Sequence, residues 1–152
     1  MQKKVNQKLA FGVHGDLYDG TYPRAVDGYT VSAGGIGLFY TIDVANPDNA
    51  ILGGSGVLGG VAINSKEYII NGLGASLAFR AGDKAQLMSK GRVWLAVPSE
   101  ITVGMAAYYN TTTGEIMGAA PASSIDGYVE IPNSMFVLKN ALAGEVAVLE
   151  LR

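Results

Sequence analysis

Apolar residues along this chain occur in many short runs rather than in long stretches of helical spacing. The runs are rich in β-branched and aromatic residues, which favour strands, and they occupy positions 37–44, 61–63, 67–70, 92–97, 127–131 and 145–151. Turn-forming residues separate the runs at positions 46–49, 71–72, 81–83, 126–127 and 131–133. Short strands at this spacing predict an all-β fold, either a compact β-barrel or a β-sandwich.

The clearest local prediction is a hairpin. Met105-Ala-Ala-Tyr-Tyr109 leads into Asn110-Thr-Thr-Thr-Gly114, and Glu115-Ile-Met117 follows. Gly114 can adopt a positive φ near the end of the loop. The pattern therefore predicts a strand, a polar turn and a second strand.

Helical signals are few, because glycine recurs and costs about 1 kcal/mol inside a helix. The best window is 134–143, where Met135, Leu138 and Leu142 could share one face. The second window is a short helical turn at 81–88. We expect at most one short helix.

Composition limits the classes of protein to consider. The chain has 152 residues, which suits one domain. It is 49% hydrophobic and only 16% charged, so an intrinsically disordered chain is excluded. Cysteine is absent, which excludes disulfides, a thiol nucleophile and Cys-ligated metals. The net charge of −2 argues against a nucleic-acid footprint over the whole domain.

Positive charge is concentrated at the start of the chain. Lys3, Lys4 and Lys8 precede the first acid, Asp16, and the remainder is acidic. We therefore expect a basic N-terminal arm at residues 1–8 and a single β-rich domain at 9–152. The apolar run after the lysines is shorter than the roughly 7–15 residues of a signal-peptide core, so synthesis in a reducing cytoplasm is expected.

Two short motifs resemble catalytic or cofactor sites. Gly54-Ser-Gly-Val-Leu-Gly59 matches the dinucleotide-binding pattern, but a strand-like run follows it and the expected acid is missing. We interpret it as a tight turn between strands. Gly74-Ala-Ser-Leu-Ala78 lacks the second glycine of a nucleophile elbow, and the one histidine, His14, lies far ahead of it.

A cluster of aspartates could bind calcium in principle. Asp16, Asp19 and Asp27 are close in sequence, but their spacing does not match an EF-hand. Turn aspartates that bond their own backbone explain the same residues. We therefore predict that the protein is not an enzyme and that it binds neither a cofactor nor a metal ion.

Long stretches of the chain carry no charge at all, namely 28–42, 49–65, 68–79 and 101–114. Charged residues are depleted at the centres of protein interfaces, and tyrosine is enriched there. The pattern predicts surfaces that contact other subunits in a long-lived assembly.

Four segments resemble structural cement, or head decoration, proteins of tailed bacteriophages. They are Leu9-Ala-Phe-Gly-Val-His-Gly-Asp16, Tyr22-Pro-Arg24, Val31-Ser-Ala-Gly-Gly-Ile-Gly37 and the 103–116 hairpin. The resemblance covers most of the chain, from about Gln7 onwards. It implies a β-rich domain without catalytic residues that oligomerises, usually as a trimer, and bridges major capsid proteins on the outer face of a capsid.

The expected function is therefore capsid stabilisation, in the virion and on the capsid's outer surface. The expected partners are the major capsid protein and the chain itself as a homotrimer, with no nucleic acid and no membrane. The candidate contact residues are Lys3, Lys4, Lys8, Tyr18, Tyr22, Arg24, Tyr108 and Tyr109. An alternative is a carbohydrate-binding β-module on a virion surface, which would need Tyr108 and Tyr109 exposed beside a groove.

Overall fold

The structure is a computed structural model that describes residues 12–18, 23–64 and 78–152. These residues form strands and loops, and no helix occurs among them. The strands are β1 (Ala25–Val31), β2 (Phe39–Ile42), β3 (Ala50–Leu52), β4 (Val57–Ile63), β5 (Asp83–Ala96), β6 (Ala106–Asn110), β7 (Ile116–Ala119), β8 (Tyr128–Glu130), β9 (Ser134–Val137) and β10 (Val146–Leu151). The prediction of an all-β fold is confirmed.

The strands form two antiparallel sheets that pack in a sandwich-like arrangement. The larger sheet has seven strands in the order β3-β2-β4-β5-β10-β9, with β1 also paired to β5. The smaller sheet has three strands in the order β7-β6-β8. No membrane-spanning helix is found in the described part of the chain.

β5 is the central strand of the larger sheet, because it pairs with three other strands. It is 14 residues long and pairs with β1 over positions 83–90, with β4 over 86–88 and with β10 over 91–96. The change of partner coincides with Gly91, whose φ is +132°. A Cβ there would lie 3.0 Å from both the Arg24 Cβ and the Met88 sulfur, so the close approach of these segments favours glycine.

The larger sheet is buried on both faces along β2 and β4. One apolar cluster, which includes Phe39 and Val61, joins the two sheets. A second cluster on the opposite face includes Tyr40 and Ala62. Part of the uncharged sequence at 28–42 and 49–65 therefore runs through strand segments that are buried on both faces, at 39–41 and 59–63, so the missing charge reflects interior as well as contact surface.

Two sequence predictions differ from the structure. The helical window at 134–143 is wrong, because the backbone of 134–137 pairs with β10 as strand β9, and Leu138 then adopts a φ of +72°. The window at 81–88 forms a turn at 81–82 and then enters β5. In both places, pairing within the sheet outweighs a weak local helical pattern.

Other sequence predictions hold or lie outside the described residues. The Gly54–Gly59 motif forms the turn into β4, with Gly54 at a φ of +79°, as the inter-strand interpretation requires. The predicted hairpin is β6 and β7, with Gly114 at a φ of +71°. The run at 67–70, the turn at 71–72 and positions 74–77 lie outside the described residues.

Candidate interaction surfaces

Residues 12–18, here called the strap, cross the C-terminal half of β5. The Gly15 N–H donates to the Trp94 carbonyl at 2.7 Å, and the Trp94 N–H donates to the Asp16 carbonyl at 2.9 Å. The Tyr18 ring lies 5.5 Å from the Trp94 ring, centroid to centroid. Gly15 has a φ of +84°, and a Cβ there would overlap Ile36. Position 15 therefore requires glycine, because the turn is tightly packed against Ile36.

His14 fixes the strap through both ring nitrogens. Nε2 lies 3.1 Å from the Ile36 carbonyl and Nδ1 accepts the Ala96 N–H at 2.8 Å, so the neutral ring with its proton on Nε2 satisfies both contacts. Burial lowers the pKa of His14 from 6.5, while the bond to Ile36 acts in the opposite direction. A Cβ on Gly37 would overlap the imidazole. His14 is thus a structural link between the strap, the 35–37 loop and β5.

Tyr108 and Tyr109 lie inside the domain rather than on its surface. Each is only 1% exposed. The Tyr109 ring stacks on Phe39 with centroids 4.3 Å apart. Because both side chains are buried, neither can contact a partner on the surface of the domain. The carbohydrate-binding alternative loses the exposed rings that it required.

The Tyr108 hydroxyl holds the loop between β7 and β8. It lies 2.9 Å from the Ala120 carbonyl and 3.0 Å from Glu130 Oε2, one of which takes its proton. It also accepts the Ser123 N–H at 2.9 Å. Glu130 Oε2 in turn accepts the Ala122 N–H at 2.9 Å. The network explains why this tyrosine points inward.

The remaining predicted contact residues divide into two groups. Tyr18 is half-buried beside Trp94, and Arg24 is exposed just ahead of β1. Lys3, Lys4, Lys8 and Tyr22 lie outside the described residues. Asp19 of the calcium hypothesis also lies outside them, and no group of three potential metal-ligating side chains occurs within 12–18, 23–64 and 78–152.

Two groups of exposed apolar side chains were not predicted. The first, here called the tip, consists of Val103, Leu138 and Leu142, in the connections that precede β6 and follow β9. The second, here called the sheet face, consists of Ile51 and Leu58 on β3 and β4, whereas Val57 is exposed on the opposite side of β4. Exposed apolar side chains that lie close together mark contact sites more often than scattered single residues do.

Hydrogen bonds hold the two segments of the tip side by side. Ile101 and Ala141 exchange backbone hydrogen bonds at 2.8 and 3.0 Å. The Val103 N–H donates to Asn140 Oδ1 at 2.9 Å. Leu138 has a left-handed backbone that costs a non-glycine residue about 1–2 kcal/mol. The tip therefore combines a braced backbone with a strained, exposed leucine.

The sheet face lies in a part of the chain without charge. Ile51 and Leu58 are both in register with Thr41 of β2, on its two sides. Leu58 also lines a cleft of about 120 Å³ at the edge between the sheets, together with the apolar side chains of Phe39, Ile131, Pro132 and Leu151. Apolar side chains therefore adjoin the exposed part of Leu58.

Sequence signals for these surfaces were present but ambiguous. Leu138 and Leu142 entered the helical pattern of 134–143, and Val103 lies in the uncharged stretch 101–114. Only the strand pairing shows which apolar residues of such a stretch face water. Tyr109 belongs to the same stretch as Val103 and faces the interior.

The fold is similar to that of a chain in a solved phage capsid structure. A chain of the structure described as the capsid of Myoviridae phage XM1 superposes with a TM-score of 0.69 at 14% identity, covering 100% of this chain and 97% of that one. The head fiber gp8.5 N base of bacteriophage phi29 matches with a TM-score of 0.46 at 14% identity, covering 86% and 95%. The curated proteins contain no significant match.

The sequence itself matches a known family over its whole length. The family model described as structural cement protein (E217 gp24/Pam3 gp6) spans residues 1–152. The fold is shared with the XM1 capsid chain, which is consistent with that match. The protein therefore belongs to the phage structural cement proteins, and its role is a structural one associated with the capsid.

Proposed function

We propose that the protein binds the outer surface of a phage capsid and stabilises the shell by bridging neighbouring major capsid protein subunits. The observation that carries this proposal is the family match over residues 1–152. In a bare shell, neighbouring subunits are held together only by their own contacts. A protein that bridges two subunits adds further buried interface between them. A specific contact of this kind buries about 1,200–2,000 Å².

The active unit in this proposal is a homotrimer of a single β-rich domain, residues 9–152. The sheet face supports it, because Ile51 and Leu58 are exposed where the chain carries no charge. Charge-free, apolar surface suits the centre of a long-lived interface. Three copies on one particle also raise the effective concentration of each capsid contact.

The basic arm, residues 1–8, is proposed to contact acidic groups of the capsid. Lys3, Lys4 and Lys8 supply its positive charge, and Tyr18, Tyr22 and Arg24 lie close behind it in sequence. Opposite charges steer such an arm to its partner and weaken as salt rises.

The test uses purified shells that lack the protein. We expect wild-type protein to bind them at saturable occupancy and to raise the temperature at which they rupture, whereas unchanged rupture temperature at full occupancy contradicts stabilisation. Deletion of residues 1–8 should lower occupancy. A matched variant of full length, with Lys3, Lys4 and Lys8 changed to Gln, separates charge from chain length: occupancy equal to the wild type removes the lysines from the mechanism.

The oligomeric state is tested by mass measurement in solution, by analytical ultracentrifugation across a range of concentrations. A stable trimer is expected. Replacement of Ile51 by Asn on the sheet face should shift the protein towards monomers. A trimer that persists at all concentrations places the subunit contact elsewhere.

A further inference from the structure

Four of the chain's 11 cationic side chains belong to residues that adjoin Gly91, where β5 changes partner. Lys90 and Arg92 flank Gly91 in β5. The Arg24 Cβ lies 3.0 Å from the position of a Cβ on Gly91, and Arg152 follows the β10 residue that is in register with Gly91. Paired strands are about 4.8 Å apart, so the four backbone positions lie within roughly 10 Å. These residues are here called the basic patch: Arg24, Lys90, Arg92 and Arg152.

The basic patch holds more positive charge than its neighbours offset. Glu150 lies 3.6 Å from Arg92 and 3.5 Å from Arg152, and it offsets one charge. Arg24 and Lys90 are exposed, and neither forms an ion pair within residues 12–18, 23–64 and 78–152. Like charges on neighbouring strands repel each other. This concentration of cations therefore gives the isolated domain no advantage, and an anionic partner would relieve the repulsion.

We propose that the basic patch binds an acidic segment of the major capsid protein. This inference deepens the proposed function and rests on it. Arginine binds carboxylates through two parallel hydrogen bonds. Glu150 already holds Arg92 and Arg152, so these side chains lose less conformational freedom when a partner binds. The width of the patch matches about three residues of an extended segment, at roughly 3.3 Å per residue.

The charges of the described residues favour this occupant over a second copy of the chain and over nucleic acid. The patch keeps an excess of positive charge even when Asp16 and Asp27, the next acids along the strap and β1, are counted with Glu150. Within the described ranges no three acidic side chains lie close enough together to share a metal ion, so a second copy offers no matching acidic cluster there. The net charge of −2 opposes binding of nucleic acid by the domain as a whole.

Two double variants of equal charge test the patch. Arg24→Gln with Lys90→Gln removes its two unpaired cations. Arg80→Gln with Lys84→Gln is the matched control, because it also removes one exposed arginine and one exposed lysine, at the opposite end of β5. Arg24 and Lys90 have no ion-pair partner in the described part of the chain, so the patch variant should melt at the temperature of the wild type.

The first measurement is the number of copies bound per purified shell, against protein concentration and at several salt concentrations. We expect the patch variant to need at least tenfold more protein for half-occupancy and to depend less steeply on salt, because two charge contacts are lost. The control should match the wild type. Equal half-occupancy for the two double variants overturns the patch and leaves the proposed function intact.

The second measurement separates the other occupants. Mass in solution should be the same for the patch variant and the wild type, and a lower mass overturns the proposal because the occupant is then another copy. Binding of an oligothymidylate by the wild type that the patch variant loses also overturns it, because the occupant is then nucleic acid. Failure of the wild type itself to bind shells rejects the proposed function, and the patch with it.

Discussion

The Nδ1 atom of His14 accepts the backbone N–H of Ala96 at 2.8 Å, across 82 residues of sequence. Only a neutral imidazole has a lone pair there, because both nitrogens carry protons in the imidazolium ion. Attachment of the strap to the end of β5 is therefore sensitive to protonation.

Stability should fall as the pH is lowered through the range in which His14 titrates. Its pKa in the folded protein lies below the ordinary value of 6.5, chiefly because burial disfavours the charged ring. The unfolded chain then binds more protons, so stability is full above pH 6.5 and declines as the pH falls below it towards the folded pKa. Denaturant unfolding between pH 5.5 and 7.5 measures this. His14→Gln, whose amide can both donate and accept, should give a flatter profile; an equal slope in both proteins excludes His14 as the cause.

Replacing Tyr108 by Phe should destabilise the domain by about 1–3 kcal/mol, because the Ser123 N–H and Glu130 lose their shared partner. Amide hydrogen exchange at Ser123 should rise with it. Tyr109→Phe is the matched control: the Tyr109 hydroxyl has no hydrogen-bond partner within the described ranges, so a smaller change is expected. Equal losses for the two variants would show that the network contributes little.

Gly60→Ala should cost about 2–4 kcal/mol in unfolding free energy. Gly60 has a φ of +147°, and a Cβ there would overlap the backbone carbonyl of Met88, which cannot move without disturbing β5. Gly28→Ala in β1 is the control, since nothing lies within 4 Å of its Cβ position. Chemical denaturation of both proteins measures the difference, and similar midpoints would refute the steric argument.

Glu150→Gln should destabilise the fold by about 1–3 kcal/mol. Glu150 is 4% exposed, and its two carboxylate oxygens lie 3.6 Å from Arg92 and 3.5 Å from Arg152. Arg152→Gln removes only the outer partner, whose side chain is 57% exposed, and should cost less than about 1 kcal/mol. Thermal melts at low and high salt check both values; an Arg152 effect as large as that of Glu150 contradicts this ranking.

The elements that sequence predicted best are those whose local pattern and tertiary pairing agree. The run at 145–151 became β10, and the 105–117 hairpin formed around Gly114 because a polar turn and two alternating strands coincide there. β9 was missed, since Met135, Leu138 and Leu142 satisfy helical spacing by chance and only the pairing with β10 decides otherwise.

Burial was harder to predict than strand position. Tyr108 and Tyr109 are adjacent, so a sheet with one wet face would expose one of them, yet both are buried. Whether a strand is covered on both faces depends on distant partners, here Phe39 on one side and the 120–123 loop on the other. The tip was not predicted from the sequence for the same reason, because its two segments become neighbours only through the pairing of Ile101 with Ala141.

The position of β5 also sets the order in which the chain can fold during synthesis. Its C-terminal half, 91–96, pairs with β10 at 146–151, some fifty residues later. Until residue 151 has left the ribosome, that edge has no strand partner and the buried residues Val93 and Leu95 lack their cover. Folding of the larger sheet is therefore completed only after translation of β10. Until then the nascent chain exposes an unpaired strand edge, and chaperones protect such chains from aggregation.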